Sequence, residues 1–111
     1  MTLRFLIRRS ARRDIQNARN WYDDQRIGVG DRFFKEIVRV FREINANPLS
    51  CPRVEPGVHR VALKKFPYSV LYFVDEDNVA VLMVVHHSRD PELSEARIAK
   101  ELGRDQNESQ S

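Results

Sequence analysis

Apolar residues recur at helical spacing in two blocks of the first half of the chain. The first block predicts a helix over about residues 11–25, and the second predicts a longer helix that begins at Asp31. Pro48 ends this second helix, because a proline disfavours helical geometry in the residue before it. Residues 28–30 form a short glycine-containing link. The two helices are therefore predicted to form an antiparallel αα-hairpin.

Four further segments have the composition and alternation of strands. They are Leu3–Arg8, Val58–Leu63, Tyr68–Val74 and Val79–His86. The first of these is expected near an edge of the sheet. The last is almost entirely apolar, which is typical of a central strand that is covered on both faces.

A third helix is predicted after the last strand. Asp90 and Pro91 supply an N-cap followed by proline at the first helical position, and Gly103 stands where the helix would end. Residues 104–111 are polar and are expected to form a flexible tail. The order β-α-α-β-β-β-α predicts one α+β domain over residues 1–103. Its helical hairpin would pack on one face of a mostly antiparallel four-stranded sheet, which leaves the opposite face as a working surface.

Composition narrows the class of protein. The 111 residues are 41% hydrophobic, which is enough for a small core. The longest purely apolar stretch, residues 79–85, is far shorter than the roughly 20 residues that a membrane span needs. The single cysteine, Cys51, has no partner within the chain for a disulfide. We therefore expect a soluble cytoplasmic protein that makes no contact with membranes.

The charges are unevenly distributed. The net charge is only +3, but 15 of the 19 basic residues are arginine. Residues 1–65 contain 15 basic and 7 acidic residues, whereas residues 66–111 contain 4 and 9. This bias favours a partner that carries phosphate or carboxylate groups.

Four basic residues stand where strands would bring them together. Arg60, Lys64 and Lys65 lie on or just after the second predicted strand, and Arg89 follows the last one. On one surface they would present bidentate and point charges to an anion. The alternative is that they are ordinary solvated charges at the edge of the sheet.

The histidine and tyrosine pairs each have two interpretations. His86 and His87 point to opposite faces of a strand and cannot readily bind one metal ion, so no metal site is predicted. One of them would be buried and hydrogen-bonded, and the other would be a general acid or base or a phosphate contact. Tyr68 and Tyr72 share a strand face, where they would either stack on bases or pack in the core. No glycine-rich phosphate loop is present, and we expect no cofactor.

Several short motifs occur together in a recognisable order over about residues 3–98. They are Asp14-Ile15, Trp21-Tyr22, Gly28–Phe33, the helix end at Ile44 and Pro48, His59–Leu63, Phe66–Tyr72 and His86–Pro91. On these motifs the chain resembles the RelE/ParE-type toxins of bacterial type II toxin–antitoxin modules. The layout of this family agrees with the predicted order of elements.

The resemblance implies a toxin that is neutralised by a small antitoxin protein. The C-terminal segment of such an antitoxin wraps the toxin and is often acidic, which suits an arginine-rich surface. Operator DNA would be bound only through the antitoxin. The residues expected to contact the antitoxin or the target are Arg60, Lys64, Lys65, Tyr68, Tyr72 and Arg89.

Two branches of the family imply different targets. RelE-like toxins cleave mRNA on the ribosome, and such cleavage needs a base, a cation and an acid. In this chain Arg60 matches one of the basic positions, but Ala62 and Ser69 stand at two others. The final helix has Leu93 and Ser94 near the position where a catalytic tyrosine is common.

These departures favour the ParE branch, whose members inhibit DNA gyrase by binding and are not enzymes. A ribosome-dependent endoribonuclease is the alternative function, and it would use Arg60, His86, His87 and Arg89. The third hypothesis is a non-toxic nucleic-acid-binding domain, which only the arginine bias favours.

Overall fold

The computed structural model describes residues 3–88 and 96–103 of the chain. Arg89, the predicted cap at Asp90 and Pro91, and the predicted tail 104–111 lie outside the described residues. Residues 96–103 are helical and are called α3. The other elements, in chain order, are β1 (Arg4–Ile7), α1 (Arg9–Gln25), α2 (Val29–Ala46), β2 (Arg53–Glu55), β3 (Val58–Ala62), β4 (Tyr68–Val74) and β5 (Asn78–His86).

The strands form one five-stranded sheet in the order β1-β5-β4-β3-β2. β1 pairs with β5 in parallel, and Leu6 lies opposite Ala80. The other three pairings are antiparallel. The mostly antiparallel sheet and the edge position of β1 are therefore confirmed. β5 is an internal strand that is buried along residues 79–85, as predicted, although β4 is the middle strand of the five.

The helical hairpin covers one face of the sheet, as predicted. α2 buries an apolar stripe that includes Phe33, Ile37, Val40 and Ile44, each no more than 1% exposed. α1 contributes smaller residues such as Ala11, which is completely buried. Full burial of each large apolar side chain stabilises the fold by roughly 1.5–3 kcal/mol. This layer between hairpin and sheet is the main core.

The link between α1 and α2 is held by a carboxylate from the preceding helix. Gly28 has φ of 94°, in the left-handed region, and it caps α2 without a side chain. Asp23 of α1 compensates, because its Oδ1 accepts the N–H groups of Gly28 at 3.2 Å and Gly30 at 2.8 Å. As a result α2 begins at Val29, two residues before the predicted start at Asp31.

The second face of the sheet is partly covered by α3. Ile98 and Leu102 pack against a smaller apolar cluster on this face that includes Leu71 and Met83. α3 therefore occupies part of the face on which a working surface is predicted.

The predicted number of strands is also wrong, because the sheet has five strands rather than four. β2 has only three residues, and all of them are exposed, so it has no alternation that would reveal it. Its backbone pairs with β3, and Arg53 lies opposite His59. Among residues 3–88 and 96–103, no helix combines the length and the apolar character needed to cross a membrane.

Candidate functional site

Arg60 lies on the sheet face opposite the hairpin. Its neighbour His59 stacks on the core residue Tyr72 on the hairpin side, and alternation along β3 directs Arg60 the other way. Arg60 lies opposite Leu71 of β4, and Ala62 lies opposite Ser69. The Arg60 side chain is exposed.

A polar pair lies beside Arg60 on the same face. The Ser69 hydroxyl is 2.9 Å from Nε2 of His87, and the backbone N–H of His87 donates to the carbonyl of Pro67 at 2.8 Å. Ser69 is buried, whereas His87 is exposed. We call the surface formed by Arg60, Ser69 and His87 the Arg60 face.

The two neighbouring histidines diverge, as their positions in a strand predict. The His86 ring lies on the hairpin side, where its centroid is 5.0 Å from that of Tyr68. Its Nδ1 accepts the N–H of Ser88 at 3.1 Å. Across the described parts of the chain, no cluster of three or more His, Cys, Asp or Glu residues is placed to hold a metal ion.

Tyr68 and Tyr72 belong to the core. The Tyr68 ring packs 5.2 Å from the ring of Phe33, and Tyr72 has no exposed surface. The Tyr72 hydroxyl donates to the carbonyl of Pro48 at 2.7 Å, and burial raises its pKa. Of the two interpretations of this pair, core packing is the one that the structure shows. The expectation that these rings contact a partner directly is corrected accordingly.

The lysines after β3 lie on the opposite side of the molecule from Arg60. Lys64 and Lys65 line a groove of about 850 Å³ between α2 and residues 63–67. We call this the hairpin groove. Arg32 and Lys35 of α2 line it together with Glu36 and Arg39, and Tyr22, Val29, Phe66 and Pro67 complete the lining.

Glu36 is the acidic residue in the lining of the hairpin groove, and both of its carboxylate oxygens accept hydrogen bonds. It accepts two hydrogen bonds from Arg39, one of them at 2.8 Å, and one from the backbone N–H of Lys64. The bond from Arg39 is the main reason that the pKa of Glu36 is held below its ordinary value, so the carboxylate stays ionised at neutral pH. Glu36 thus fixes the loop to α2.

The backbone at Lys65 is strained. Its φ is 67°, in the left-handed region that residues with a Cβ seldom occupy. Such a conformation costs roughly 1–2 kcal/mol. It turns the chain sharply where two consecutive lysines meet the groove.

A second, smaller cavity lies beside β3. It has a volume of about 450 Å³ and is lined in part by Cys51, Arg53 and His59. The Nδ1–H of His59 donates to the backbone carbonyl of Cys51 at 2.8 Å. The histidine thus contacts the backbone of Cys51 rather than its thiol, so the arrangement is not a nucleophile–base pair.

The residues predicted for the site are therefore divided among several places. Arg60 lies on the Arg60 face, Lys64 and Lys65 lie in the hairpin groove, and the two tyrosines lie in the core. Arg89 lies outside the described residues. The prediction did not include Arg32 and Lys35. Their spacing with Arg39 along α2 was the available signal, since residues 32, 35 and 39 fall on one side of a helix.

Comparison with known proteins identifies the family. Residues 5–91 match the family model described as the ParE toxin of the type II toxin–antitoxin system parDE. The chain belongs to the ParE toxin family. The predicted resemblance to ParE-type toxins is thereby confirmed. The matched region of this ParE family member contains both the Arg60 face and the hairpin groove, whereas α3 lies beyond it.

A solved structure shares the fold. The chain is similar to a protein of the chromosomal ParDE toxin–antitoxin system from P. aeruginosa, with a TM-score of 0.69 and 17% sequence identity. The similarity covers 77% of this ParE family member and 96% of the other chain. No curated protein matches the sequence.

Proposed function

We propose that this ParE family member is the toxin of a type II toxin–antitoxin module and that a cognate antitoxin neutralises it. It acts in the cytoplasm and stops growth by binding DNA gyrase, without catalysis. Operator DNA is bound through the antitoxin. The family assignment supports the toxin role, and the uncharged neighbours of Arg60 on β3 and β4 support binding rather than chemistry.

The environment of Arg60 is the observation that supports inhibition by binding without catalysis. On β4, Leu71 lies directly opposite Arg60, and Ser69 lies diagonal to Arg60. Ala62 follows Arg60 on the same face of β3. None of these side chains is a cation that could stabilise a developing phosphate charge, or an ionisable acid or base. Arg60 is therefore an anchor for a carboxylate or phosphate on the target, a role that suits a guanidinium.

A supercoiling assay tests this function. The purified chain, added to gyrase, ATP and relaxed plasmid, is expected to block supercoiling. Arg60→Ala is expected to raise the concentration needed for inhibition at least tenfold. Arg13→Ala removes another exposed arginine, on α1, and serves as the matched control. Normal supercoiling in the presence of excess wild-type chain would reject gyrase as the target.

One observation favours a second function, ribosome-dependent cleavage of mRNA. The Ser69–His87 hydrogen bond places a titratable imidazole on the same face as Arg60. In that case cells expressing the chain would show mRNA cut in register with codons, and His87→Ala would abolish the cuts. Growth arrest with intact transcripts would exclude it.

The third hypothesis, a non-toxic nucleic-acid-binding domain, predicts a different pair of results. Expression would leave growth unchanged, and the purified chain would bind DNA or RNA with an affinity that falls steeply with salt. Growth arrest on expression would contradict it.

A further inference from the structure

We propose that Cys51 is a site of reversible modification by disulfides of small thiols that carry carboxylate groups. The site is the cavity of about 450 Å³ beside β3, which we call the Cys51 pocket. The proposal goes beyond the toxin function and does not depend on it, because it is tested on the purified chain alone. It rests on the volume of the pocket and on the polar groups in its wall.

The Cys51 pocket lies between the loop that follows α2 and the edge of the sheet at β2 and β3. Its lining consists of Leu49, Cys51, Arg53, Gly57, His59 and Val74. The volume falls within the range of about 300–1,000 Å³ that is typical of small-molecule sites. Cys51, the single cysteine of the chain, is half-buried. The cysteine thus borders a space that is large enough for a small thiol compound.

His59 provides the observation that points to a ligand. It is only 3% exposed, and its Nδ1–H donates to the carbonyl of Cys51, so Nε2 is the acceptor nitrogen of the ring. Within residues 3–88 and 96–103 no group is hydrogen-bonded to Nε2, although this atom is not sealed from solvent. Buried polar groups normally have a hydrogen-bond partner, and the pocket is the space that His59 borders. Nε2 is therefore placed to accept an N–H group from a molecule in the pocket.

Arg53 supplies the positive charge of the pocket. It lies opposite His59 in the pairing of β2 with β3, so the two side chains project from the same side of the sheet, with Cβ atoms about 5 Å apart. The guanidinium is exposed and forms no ion pair with any other group in residues 3–88 and 96–103. A guanidinium binds a carboxylate through two parallel hydrogen bonds. The wall of the pocket thus combines a thiol with partners for a carboxylate and for an amide N–H, which a peptide-like thiol compound contains.

A metal ion is the other ligand that a thiol and an imidazole suggest. Zinc sites in proteins use at least three protein ligands, and Cys51 and His59 supply only two. The described part of the chain brings no third His, Cys, Asp or Glu residue to them. The side chains of the pocket therefore fit a small organic disulfide better than a metal ion.

The reaction is a thiol–disulfide exchange. The Cys51 thiol loses its proton to water, and the thiolate attacks one sulfur of the small disulfide. A sulfur–sulfur bond forms between Cys51 and one half of the reagent, while the bond between the two halves of the reagent breaks. Cys51 is oxidised, and the other half leaves with the electron pair as a thiolate, which takes a proton from water. An excess of small thiol reverses the exchange by the same route.

Two disulfides distinguish a binding site from a thiol that is merely accessible. The reduced chain is incubated with glutathione disulfide or with the uncharged hydroxyethyl disulfide, and the adduct is followed by intact-mass spectrometry. One adduct per chain is expected, and none in Cys51→Ser. Arg53→Gln is expected to slow the reaction with glutathione disulfide by roughly fivefold or more, and to change the reaction with the uncharged disulfide less than twofold.

Arg42→Gln is the matched control, because it removes an exposed arginine of α2 that does not line the pocket. It should leave both rates unchanged. Equal effects of Arg53→Gln and Arg42→Gln on the reaction with glutathione disulfide would overturn the proposal. Absence of a glutathione adduct on the wild-type chain would also overturn it. Circular dichroism shows that each variant is folded.

A competition experiment measures binding without the exchange step. S-methylglutathione has the carboxylates and amides of the reactive compound but cannot form a disulfide. At saturation it is expected to slow the alkylation of Cys51 by iodoacetamide at least threefold in the wild-type chain, and to protect Arg53→Gln less. Alkylation at the same rate with and without S-methylglutathione would show that the pocket does not hold the compound, and the proposal would fail.

Discussion

At the scale of single residues, Gly30 shows how a missing side chain determines the geometry of the hairpin. A Cβ at this position would lie 2.6 Å from the backbone oxygen of Arg19 and equally close to the carboxylate of Asp23. Both groups belong to α1, so the absence of a side chain sets how closely α2 approaches. The Asp23 carboxylate cannot simply rotate away, because it accepts the Gly30 N–H.

We therefore predict that Gly30→Ala destabilises the protein by about 2 kcal/mol or more, through overpacking and loss of the Asp23 cap. The measurement is the free energy of unfolding from urea denaturation. Gly103→Ala is the control, because a Cβ there meets no atom within 4 Å, and its effect should stay within about 0.5 kcal/mol. Similar values for the two variants would contradict the close approach.

Glu36 makes the stability of the fold depend on pH. Its pKa is lower in the folded chain than its ordinary value of 4.5, chiefly because of the hydrogen bond from Arg39. A carboxyl group of this kind contributes stability that is present above the ordinary pKa and is lost as pH falls through the folded pKa.

Glu36→Gln is therefore predicted to destabilise the protein at pH 7, and its difference from wild type should shrink below about pH 4.5. Unfolding curves across a pH series measure this difference. Glu55→Gln, on the exposed strand β2, provides a comparison that should follow wild type at each pH. A difference between Glu36→Gln and wild type that stays constant from pH 7 to pH 3 would refute the argument.

Residue types alone could indicate only part of the site. Arg60 was expected to be exposed and is exposed. Lys64 and Lys65 were expected to share its surface, but the chain leaves the sheet after Ala62 and turns towards α2, where Glu36 binds the Lys64 backbone. Alternation places Tyr72 on one face of β4 but does not say which face the helices cover.

At the scale of elements, the spacing of apolar residues is sufficient to locate the long helices and strands. α2 and β5 have strong apolar patterns, and both were located within about two residues of their observed starts. β2 was missed because three exposed residues between prolines carry no pattern. α1 begins at Arg9 rather than Ala11, and the hydroxyl of Ser10, in its first turn, donates to the carbonyl of Leu82 at 3.0 Å.

The position of α3 depends on a contact with α1 and β5 that no local sequence pattern predicts. Asp14 of α1 accepts the N–H of Val84 on β5 at 2.9 Å and a hydrogen bond from Arg97 of α3 at 2.7 Å. One carboxylate thus joins three elements that are far apart in sequence. Arg97 also donates to the Ser10 hydroxyl at 3.3 Å.

A double-mutant cycle on Asp14→Ala and Arg97→Ala measures this connection. Asp14→Ala should cost about 2 kcal/mol, because it also leaves the Val84 N–H without its acceptor. Arg97→Ala should cost less, and the coupling between them should be about 0.5–2 kcal/mol. Additive effects would show that α3 is held by its apolar contacts alone, chiefly those of Ile98.

At the scale of the whole molecule, the modest net charge of +3 conceals an uneven distribution of basic side chains. The hairpin groove and the Arg60 face lie on opposite sides of the sheet, and the segment 1–65 that contains their cations has 15 basic and 7 acidic residues. The cations of the hairpin groove outnumber those of the Arg60 face, where the neighbours of Arg60 on β3 and β4 are uncharged.

Under the proposed function, the rate at which the antitoxin associates with the chain reports this charge distribution. Opposite charges accelerate encounter, and salt screens them over about 10 Å at 0.1 M and 3 Å at 1 M. We predict that the association rate constant, measured by stopped flow, falls about tenfold between 0.05 and 0.5 M salt, whereas dissociation changes less. Arg32→Glu with Lys35→Glu should flatten this dependence, and Arg12→Glu with Arg13→Glu should flatten it less, because those arginines lie outside the groove. Equal salt slopes for the two variants would mean that overall charge, and not the groove, guides the antitoxin to the toxin.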